Sequence, residues 1–301
     1  MNEIGFSSLK SRLYKKIRCP ECFSETDLKY KIASYIICNK CKTKFKVIGG
    51  IPILFSNESK KILNLELTSH TGKQMSHEYT SRKTFIKSLK QLFRIANLTY
   101  DFFDRKKLHK ILTHNENCKY LILNVGGGPT REDSNILNLN IDLFPNVEII
   151  ADAHNLPFKT ASVDGIMIAA VLEHVHNPNK VIEEIYRVLK RGGYVYSETP
   201  FLQHFHGYPN HYQNFTLIGH NYLFKKFKKI ESGPITGPFT AVLTLILNLF
   251  EDLTDNKYIR KITMFIVALI LYPFKYLDAL TKKNKNVYKL TNGVYFLGQK
   301  T

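Results

Sequence analysis

The chain has 301 residues, 44% of them hydrophobic and 23% charged, with no low-complexity tract or internal repeat, which excludes a disordered or fibrous protein and allows one large domain or a domain with a small companion. Its net charge of +18 is uneven: residues 1–118 carry 23 Lys/Arg against 10 Asp/Glu, residues 119–200 carry 7 against 10, and residues 201–301 carry 13 against 5. Basic ends around a mildly acidic centre suit phosphate-bearing partners such as anionic lipid, nucleic acid or a pyrophosphate-linked substrate, and equally a solvated lysine surface.

The amino terminus is polar and basic and lacks the apolar stretch of a signal peptide, so a cytoplasmic protein is expected. Four of the five cysteines then fall as Cys19-Pro-Glu-Cys22 and Cys38-Asn-Lys-Cys41, the spacing of a structural four-thiolate zinc site. Each two-residue turn puts two thiolates on one side of a knuckle, and two knuckles complete a tetrahedron. The stretch between them, with Tyr30, Tyr35, Ile36 and Ile37, reads as a short hairpin. So small a module has little core, and zinc would contribute roughly 10 kcal/mol or more of its folding free energy. Four ligands leave no open position for catalysis. Cys118, alone before the next strand, reads as an ordinary buried thiol. The stretches IRCPEC, CNKCKTKF and GGIPIL resemble the small zinc domain that precedes or activates some methyltransferases.

Residues 57–118 read as a helical connector, with Ile86, Leu89, Leu92, Phe93 and Ile95-Ala96 on one helical face. From 119 the pattern changes. YLILNV, LNLNID (137–142), VEIIAD (147–152) and GIMIAAV (165–171) are apolar strands. PNKVIEEIYRVLK (178–190) is an amphipathic helix, and RGGYVYSETP closes with a fifth strand. Apolar strands alternating with helices predict a parallel α/β sheet covered on both faces.

The first of these strands runs into Gly126-Gly127-Gly128, where open α/β sheets bind ligands, and glycine lets the backbone approach one closely. Asp142 and Asp152 end the next two strands, placed for ribose hydroxyls and for an exocyclic amine. Turn and acids together specify an adenosine ligand. The dinucleotide fingerprint G-x-G-x-x-G fails in either frame, on Arg131 or on Asn124 and Pro129.

These stretches resemble class I S-adenosylmethionine-dependent methyltransferases. LNVGGGPT is similar to their glycine-rich motif, NID to the ribose-binding acid, ADAHNLPF to the adenine motif, and residues 162–200 to their fourth strand, helix and fifth strand. The resemblance implies a Rossmann-like methyltransferase sheet behind a small zinc-ribbon-like domain. It implies that Asn124 and Gly126 to Gly128 border the cofactor's methionine part, that Asp142 holds the ribose and Asp152-Ala153 meet the adenine, and that Leu172-Glu173-His174 lie near the activated methyl. Asn124 stands where the family usually has an acid, and Thr130 where a third glycine is common.

After the fifth strand, PFLQHFHGYPNHYQNFT concentrates His204, His206, His211, Tyr208 and Tyr212. A hydroxyl acceptor needs a base near neutral pKa, for which His206 and His211 are candidates, with His174 from the cofactor side. The clustered histidines also suggest a second metal site, although the loop itself holds no acidic ligand. FKKIESG (227–233) and GVYFLG (293–298) read as the closing strands of the sheet, which makes 234–292 an insertion. It carries two apolar stretches, 239–250 and 262–274, each shorter than the roughly 20 residues of a spanning helix and flanked by lysines, as in an interfacial membrane contact or a packed cap.

The expected organisation is an arm and zinc module over 1–56, a connector over 57–118 and a methyltransferase domain over 119–301. The zinc module, the H-G-Y-P-x-H-Y loop and the apolar tail together resemble bacterial methyltransferases associated with surface-polysaccharide assembly. That implies a small-molecule, glycan or lipid-linked saccharide acceptor at the inner face of the membrane. An RNA methyltransferase and a non-catalytic cofactor-binding scaffold are the alternatives, and against RNA LEHV stands where a base-holding Asn-Pro-Pro-Tyr would be.

Overall fold

The computed structural model describes residues 13–25, 28–31, 35–63, 97–104, 111, 120–128, 136–206 and 210–301. The predicted helical face at 86–96, Cys118, Thr130, Arg131 and Tyr208 lie outside these residues.

The apolar runs form a mixed sheet. Strands β5 (Ile122–Val125), β6 (Ile136–Asn140) and β7 (Val147–Ala151) are buried at every position, and β8 (Val163–Ala169) at most. A strand hidden on both faces is mostly apolar, and the buried polar exceptions here are hydrogen-bonded: Asn124 to Asn138, Asn140 to the Gly127 carbonyl, and Glu148 to the Asn138 amide. β5 pairs in parallel with β6 on one side and β8 on the other, and β8 pairs in parallel with β9 (Leu189–Pro200). The chain therefore reverses its direction of winding at β5, and the turn after β5 opens at the switch point where such sheets bind ligands. The predicted closing strands are present as β10 (Lys228–Pro234) and β11 (Gly293–Gln299), with β11 antiparallel to both β9 and β10.

Helix α2 (Pro178–Val188) starts where Asn177 accepts the Lys180 amide and Pro178 sets the first turn. Its Val181, Ile182, Ile185 and Val188 are buried against the sheet. Its polar side reaches the amino-terminal segment, where Glu184 pairs with Arg18 at 3.0 Å and with Arg187 at 2.7 Å.

The sequence suggests a separate small domain in front, and the structure instead joins the two. β1 (Leu28–Lys31), β2 (Tyr35–Cys38), β3 (Lys44–Ile48) and β4 (Ile51–Leu54) form an antiparallel meander, and β4 pairs in parallel with β7 through Ile53↔Ile150 and Leu54↔Ala151. The sheet order is β1-β2-β3-β4-β7-β6-β5-β8-β9-β11-β10. Cys19, Ile36, Cys38, Phe45 and Leu54 belong to the same buried cluster as Leu123, Ile149, Val181 and Phe296.

The insertion between β10 and β11 folds as α4 (Pro238–Asp252), α5 (Lys257–Leu271) and a continuing helical run to Thr281. That run has 25 residues, where the sequence suggested an element too short to span. By length and composition it suffices to cross a membrane, and its most apolar window is 17% buried. Its end is fastened to the start of α4 and to the segment at Asn97. The Asp278 carboxylate accepts the Phe239 amide, the Thr240 amide and the Thr240 hydroxyl at 2.7–2.8 Å, and Lys275 Nζ donates to the Asn97 carbonyl at 2.6 Å. Two buried charges serving as anchors fit a helix lying along the body better than one threaded through a bilayer.

Candidate active site

A cavity of about 360 Å³ lies at the carboxyl ends of β5, β6, β7 and β8. Its floor is apolar, with Val125, Leu139, Ala151, Val171 and Val175. Gly126 lines it at φ 77°, and a Cβ there would run into the Val171 side chain. A Cβ on Gly127 would lie 2.5 Å from Asn138 Oδ1. The first two glycines of the turn are thus required by the backbone and by packing, and Gly128 by neither.

Of the residues expected at the cofactor, Gly126, Gly128, Asp152 and Ala153 line the cavity. Asn124, Gly127, Asp142, Leu172 and Glu173 are not among the lining residues. Asn124 is held behind the turn, donating to Asn138 Oδ1 at 3.2 Å. At the end of β6 the wall is Asn140 and Ile141; Asn140 donates to the Gly127 carbonyl at 2.9 Å and accepts the Ile141 amide at 2.7 Å, while Asp142 caps the Leu143 amide at 2.7 Å.

Asp152 is buried and bonded from two sides. Ser59 donates its hydroxyl to Oδ2 at 2.7 Å, and Oδ1 takes the His154 amide at 2.9 Å and lies 2.7 Å from His154 Nδ1. Burial would raise this carboxyl's pKa, yet the bonds from His154 and Ser59 hold it below its ordinary value. An ionised Asp152 requires the proton on His154 Nδ1, so that Nε2 of the neutral ring is an acceptor, and that atom is buried with no partner among the described residues. The His154 ring stacks on His176, centroids 4.2 Å apart, and both line the cavity. Ile62 and Leu63, which end α1 (Asn57–Ile62), close the wall. Sequence reading missed this part, although S-N-E-S at 56–59 carries a helix-capping pattern that locates the turn bearing Ser59.

At the other end the cavity is lined by His174, Asn210 and Tyr212. β8 ends at Ala169, and a 3-10 turn (Leu172–His174) points Glu173 inward. The Glu173 side chain is 0% exposed, and among the described residues neither carboxylate oxygen has a partner at full hydrogen-bond geometry. Burial pushes its carboxyl up to about 7, against a smaller lowering by its own backbone amide and the Thr199 hydroxyl. Its Oε1 lies 3.7 Å from His174 Nε2 and 3.9 Å from His206 Nε2. The structure thus supplies the acidic group absent from the histidine loop, from a different element. Burial, followed by the nearby His206 and His211, lowers the His174 pKa.

His206 is brought to His174, with ring centroids 5.3 Å apart. His211 is bonded at both nitrogens: Nδ1 accepts the His206 amide at 3.0 Å, and Nε2 lies 2.7 Å from Asn214 Oδ1. It acts as a brace of the loop. His204 is turned away, bonded to Asn248 on α4.

The four cysteines come together as the spacing predicts. All four sulfurs lie within 4.8 Å of one another, with Cys19–Cys41 and Cys22–Cys38 both at 3.6 Å, close to the roughly 3.8 Å edge of a tetrahedral zinc thiolate. The two knuckles share one backbone. In each, the first cysteine's carbonyl accepts an amide four residues on, at 2.9 Å, from Phe23 or Lys42. Those residues have φ of 60° and 62°. Two copies of a strained turn facing each other are compatible with a bound zinc ion.

Residues 133–197 match a family model described as a methyltransferase domain. Two curated relatives match shorter stretches. An uncharacterized protein of Methanocaldococcus jannaschii is 56% identical over 45 residues, 15% of this chain and 22% of that protein. A ubiquinone/menaquinone biosynthesis C-methyltransferase of Campylobacter jejuni is 40% identical over 73 residues, 24% of this chain and 30% of that protein. The chain therefore spans less than a third of either relative. Among solved structures, a possible histamine N-methyltransferase of Thermotoga maritima is 16% identical, covering 73% of this chain and 98% of that one, with a TM-score of 0.42; a likeness that distant assigns no activity. The matched residues 133–197 include β6, β7, β8 and α2, which position this cavity, and the match supports S-adenosylmethionine-dependent methyl transfer.

Proposed function

We propose that the protein transfers a methyl group from S-adenosylmethionine to a hydroxyl of a saccharide or lipid-linked saccharide, with a structural zinc ion held by Cys19, Cys22, Cys38 and Cys41. The observation that carries the methyl-transfer reading is the cavity at the switch point, with a glycine turn at one side, a bare buried acceptor on His154 at one end and a polar cluster at the other. S-adenosylmethionine supplies an activated methyl on a sulfonium. Gly126 and Gly128 give its chain room. His154 Nε2, held in its tautomer by Asp152, accepts from the adenine amine, and His176 stacks behind it. Methyl transfer asks chiefly for in-line alignment, and the His174 end is where the acceptor oxygen and its departing proton must be handled.

The lipid-linked acceptor is supported by the insertion. Val242, Leu245 and Leu249 on α4, Leu253 just after it, and Ile259, Ile262, Ile266 and Ile270 on α5, are all exposed and recur at helical spacing, an apolar surface that a monomer in water seldom carries. Lys257, Arg260, Lys261, Lys282 and Lys283 accompany it, as in helices that lie on anionic lipid. Asn248 on α4 is bonded to His204 of the acceptor loop, which joins that surface to the site.

Calorimetry with S-adenosylmethionine and S-adenosylhomocysteine tests the cofactor reading. Binding to wild type and its loss in Gly126→Val are expected, and no heat with either compound on zinc-loaded wild type would end it. Transfer of labelled methyl to lipid-linked saccharide extracts tests the acceptor, and labelling of RNA in its place would replace it.

A further inference from the structure

We propose that Glu173, His174 and His206 form a second metal site, for one divalent first-row transition-metal ion, with its open positions turned to the acceptor. The three ligand atoms come from two separate elements, the turn after β8 and the loop after β9, and all lie within 4.8 Å of one another.

The hydrogen bonds behind the ligands carry the inference. His174 Nδ1 faces the Asn210 carbonyl at 2.6 Å, and His206 Nδ1 faces the His204 carbonyl at 3.0 Å. A carbonyl only accepts, so each ring keeps its proton on Nδ1 and shows a bare Nε2 to the Glu173 oxygen. Outer-shell bonds of this kind fix the tautomer of metal-bound histidines. His206 is further held by its amide's bond to His211, and His211 by Asn214. At 3.7 and 3.9 Å the contacts to Glu173 are too long for hydrogen bonds. They are a few tenths of an ångström wider than the roughly 3.4 Å that separates nitrogen and oxygen ligands of one tetrahedral ion. A buried carboxylate that among the described residues has no full hydrogen bond and only the Thr199 hydroxyl acting on it, facing two nitrogen lone pairs, is a place for a cation. Two imidazoles and one carboxylate select a transition metal over magnesium or calcium and leave coordination positions open. His174 is 16% and His206 33% exposed, so the opening lies on the histidine side, next to the cavity.

The ion's role deepens the methyl-transfer reading and rests on it; its binding does not. An acceptor hydroxyl in an open position is acidified. Its proton passes to water, its oxygen forms the new bond to the methyl carbon, and the electron pair of the broken carbon–sulfur bond stays on sulfur. The rival occupant of the gap is a proton, shared between Glu173 and an imidazolium.

Full-length zinc-loaded protein is dialysed against micromolar zinc and its metal counted by elemental analysis. Two ions per chain are expected in wild type and one in Glu173→Gln and His206→Ala, the second site losing about 100-fold or more in affinity. Cobalt added to the zinc-loaded protein should give weak visible bands without thiolate charge transfer, and these should vanish in both variants. Far-ultraviolet circular dichroism and thermal unfolding, unchanged in both, show that they are folded. One ion in wild type, or two in the variants, overturns the proposal. Two ions with no cofactor binding leaves the metal site standing and removes the methyl-transfer reading.

Discussion

The two edges of the sheet have each been extended, in opposite ways. At the β4 edge the cysteine meander turns its apolar side inward: Ile36, Phe45 and Leu54 share the main core, and the chain leaving it delivers Ser59 to Asp152 and Leu63 to the cavity wall. At the far edge the helices of the insertion turn an apolar side outward; Asp278 ties the end of the second to the start of the first, and Lys275 ties them to Asn97. An extension that buries its apolar face has become part of the protein. One that keeps it bare leaves that face free for the lipid proposed above.

The largest break in that comparison comes from removing the zinc. If the meander were only attached, chelation would leave the cavity intact. Because it shares core and cavity wall, chelation or Cys38→Ser should unfold the module, a loss of about 10 kcal/mol of metal-linked stability, and abolish cofactor binding with it. Calorimetry before and after chelation reads this, and unchanged cofactor affinity in a chelated protein would show the module to be independent. At the far edge the matching cut is Asp278→Ala. It strips three charge-assisted bonds from the first turn of α4 and should cost about 3 kcal/mol. Proteolysis should then release the helices while cofactor affinity stays within about twofold.

The sheet was legible because strands buried on both faces are written as mostly apolar runs, and each predicted strand lies within about two residues of the one observed. The knuckles were legible because their spacing is the geometry. The site was legible only where one segment builds it. Gly126 and Asp152 sit on single strand ends, but Ser59 reaches Asp152 across 93 residues, and Glu173 meets His206 only because two loops converge. A heptapeptide rich in histidine announces itself; the carboxylate that completes it lies a strand away and carries no local mark. The length of the last helical run was misjudged for a similar reason. Pro273 and Lys275 break the apolar pattern, yet the helix continues through them because Lys275 finds the Asn97 carbonyl.

A change of pH reaches the middle of the sheet, between the two edges. His220 on α3 (Leu217–Leu223) is 0% exposed among Phe215, Phe224 and Phe296, with Nε2 2.9 Å from Ser197 Oγ. Burial pushes its pKa down to about 3, so between there and the unfolded value near 6.5 the unfolded chain binds the extra proton. The stability that His220 confers as a neutral ring is complete above pH 6.5 and is lost as pH falls below it. At pH 5 the loss is about 2 kcal/mol. Denaturant unfolding at pH 7 and pH 5 measures it, and His220→Phe should show a difference smaller by that amount. An equal difference in the variant would place the acid sensitivity elsewhere, in the cysteine module first.

The smallest expected change in stability decides what the outward face is for. Ile262 and Ile266 are 62% and 51% exposed on α5, so Ile262→Asp with Ile266→Asp changes surface rather than core and should shift unfolding by about 1 kcal/mol or less each. If the face is a cap waiting on the body, the substitutions are silent everywhere. If it lies on anionic lipid, they remove an apolar anchor and add two negative charges against a negative surface. Flotation with phosphatidylglycerol-containing vesicles should then fall to the level of neutral vesicles, while calorimetric cofactor binding is unchanged. A double variant that still floats, or a wild type that never does, would leave the exposed stripe to a second copy of the chain, and sedimentation of the same two proteins would show that as a dimer lost on substitution. Stability is blind to this face, because an exposed apolar stripe gains its free energy only when a partner covers it.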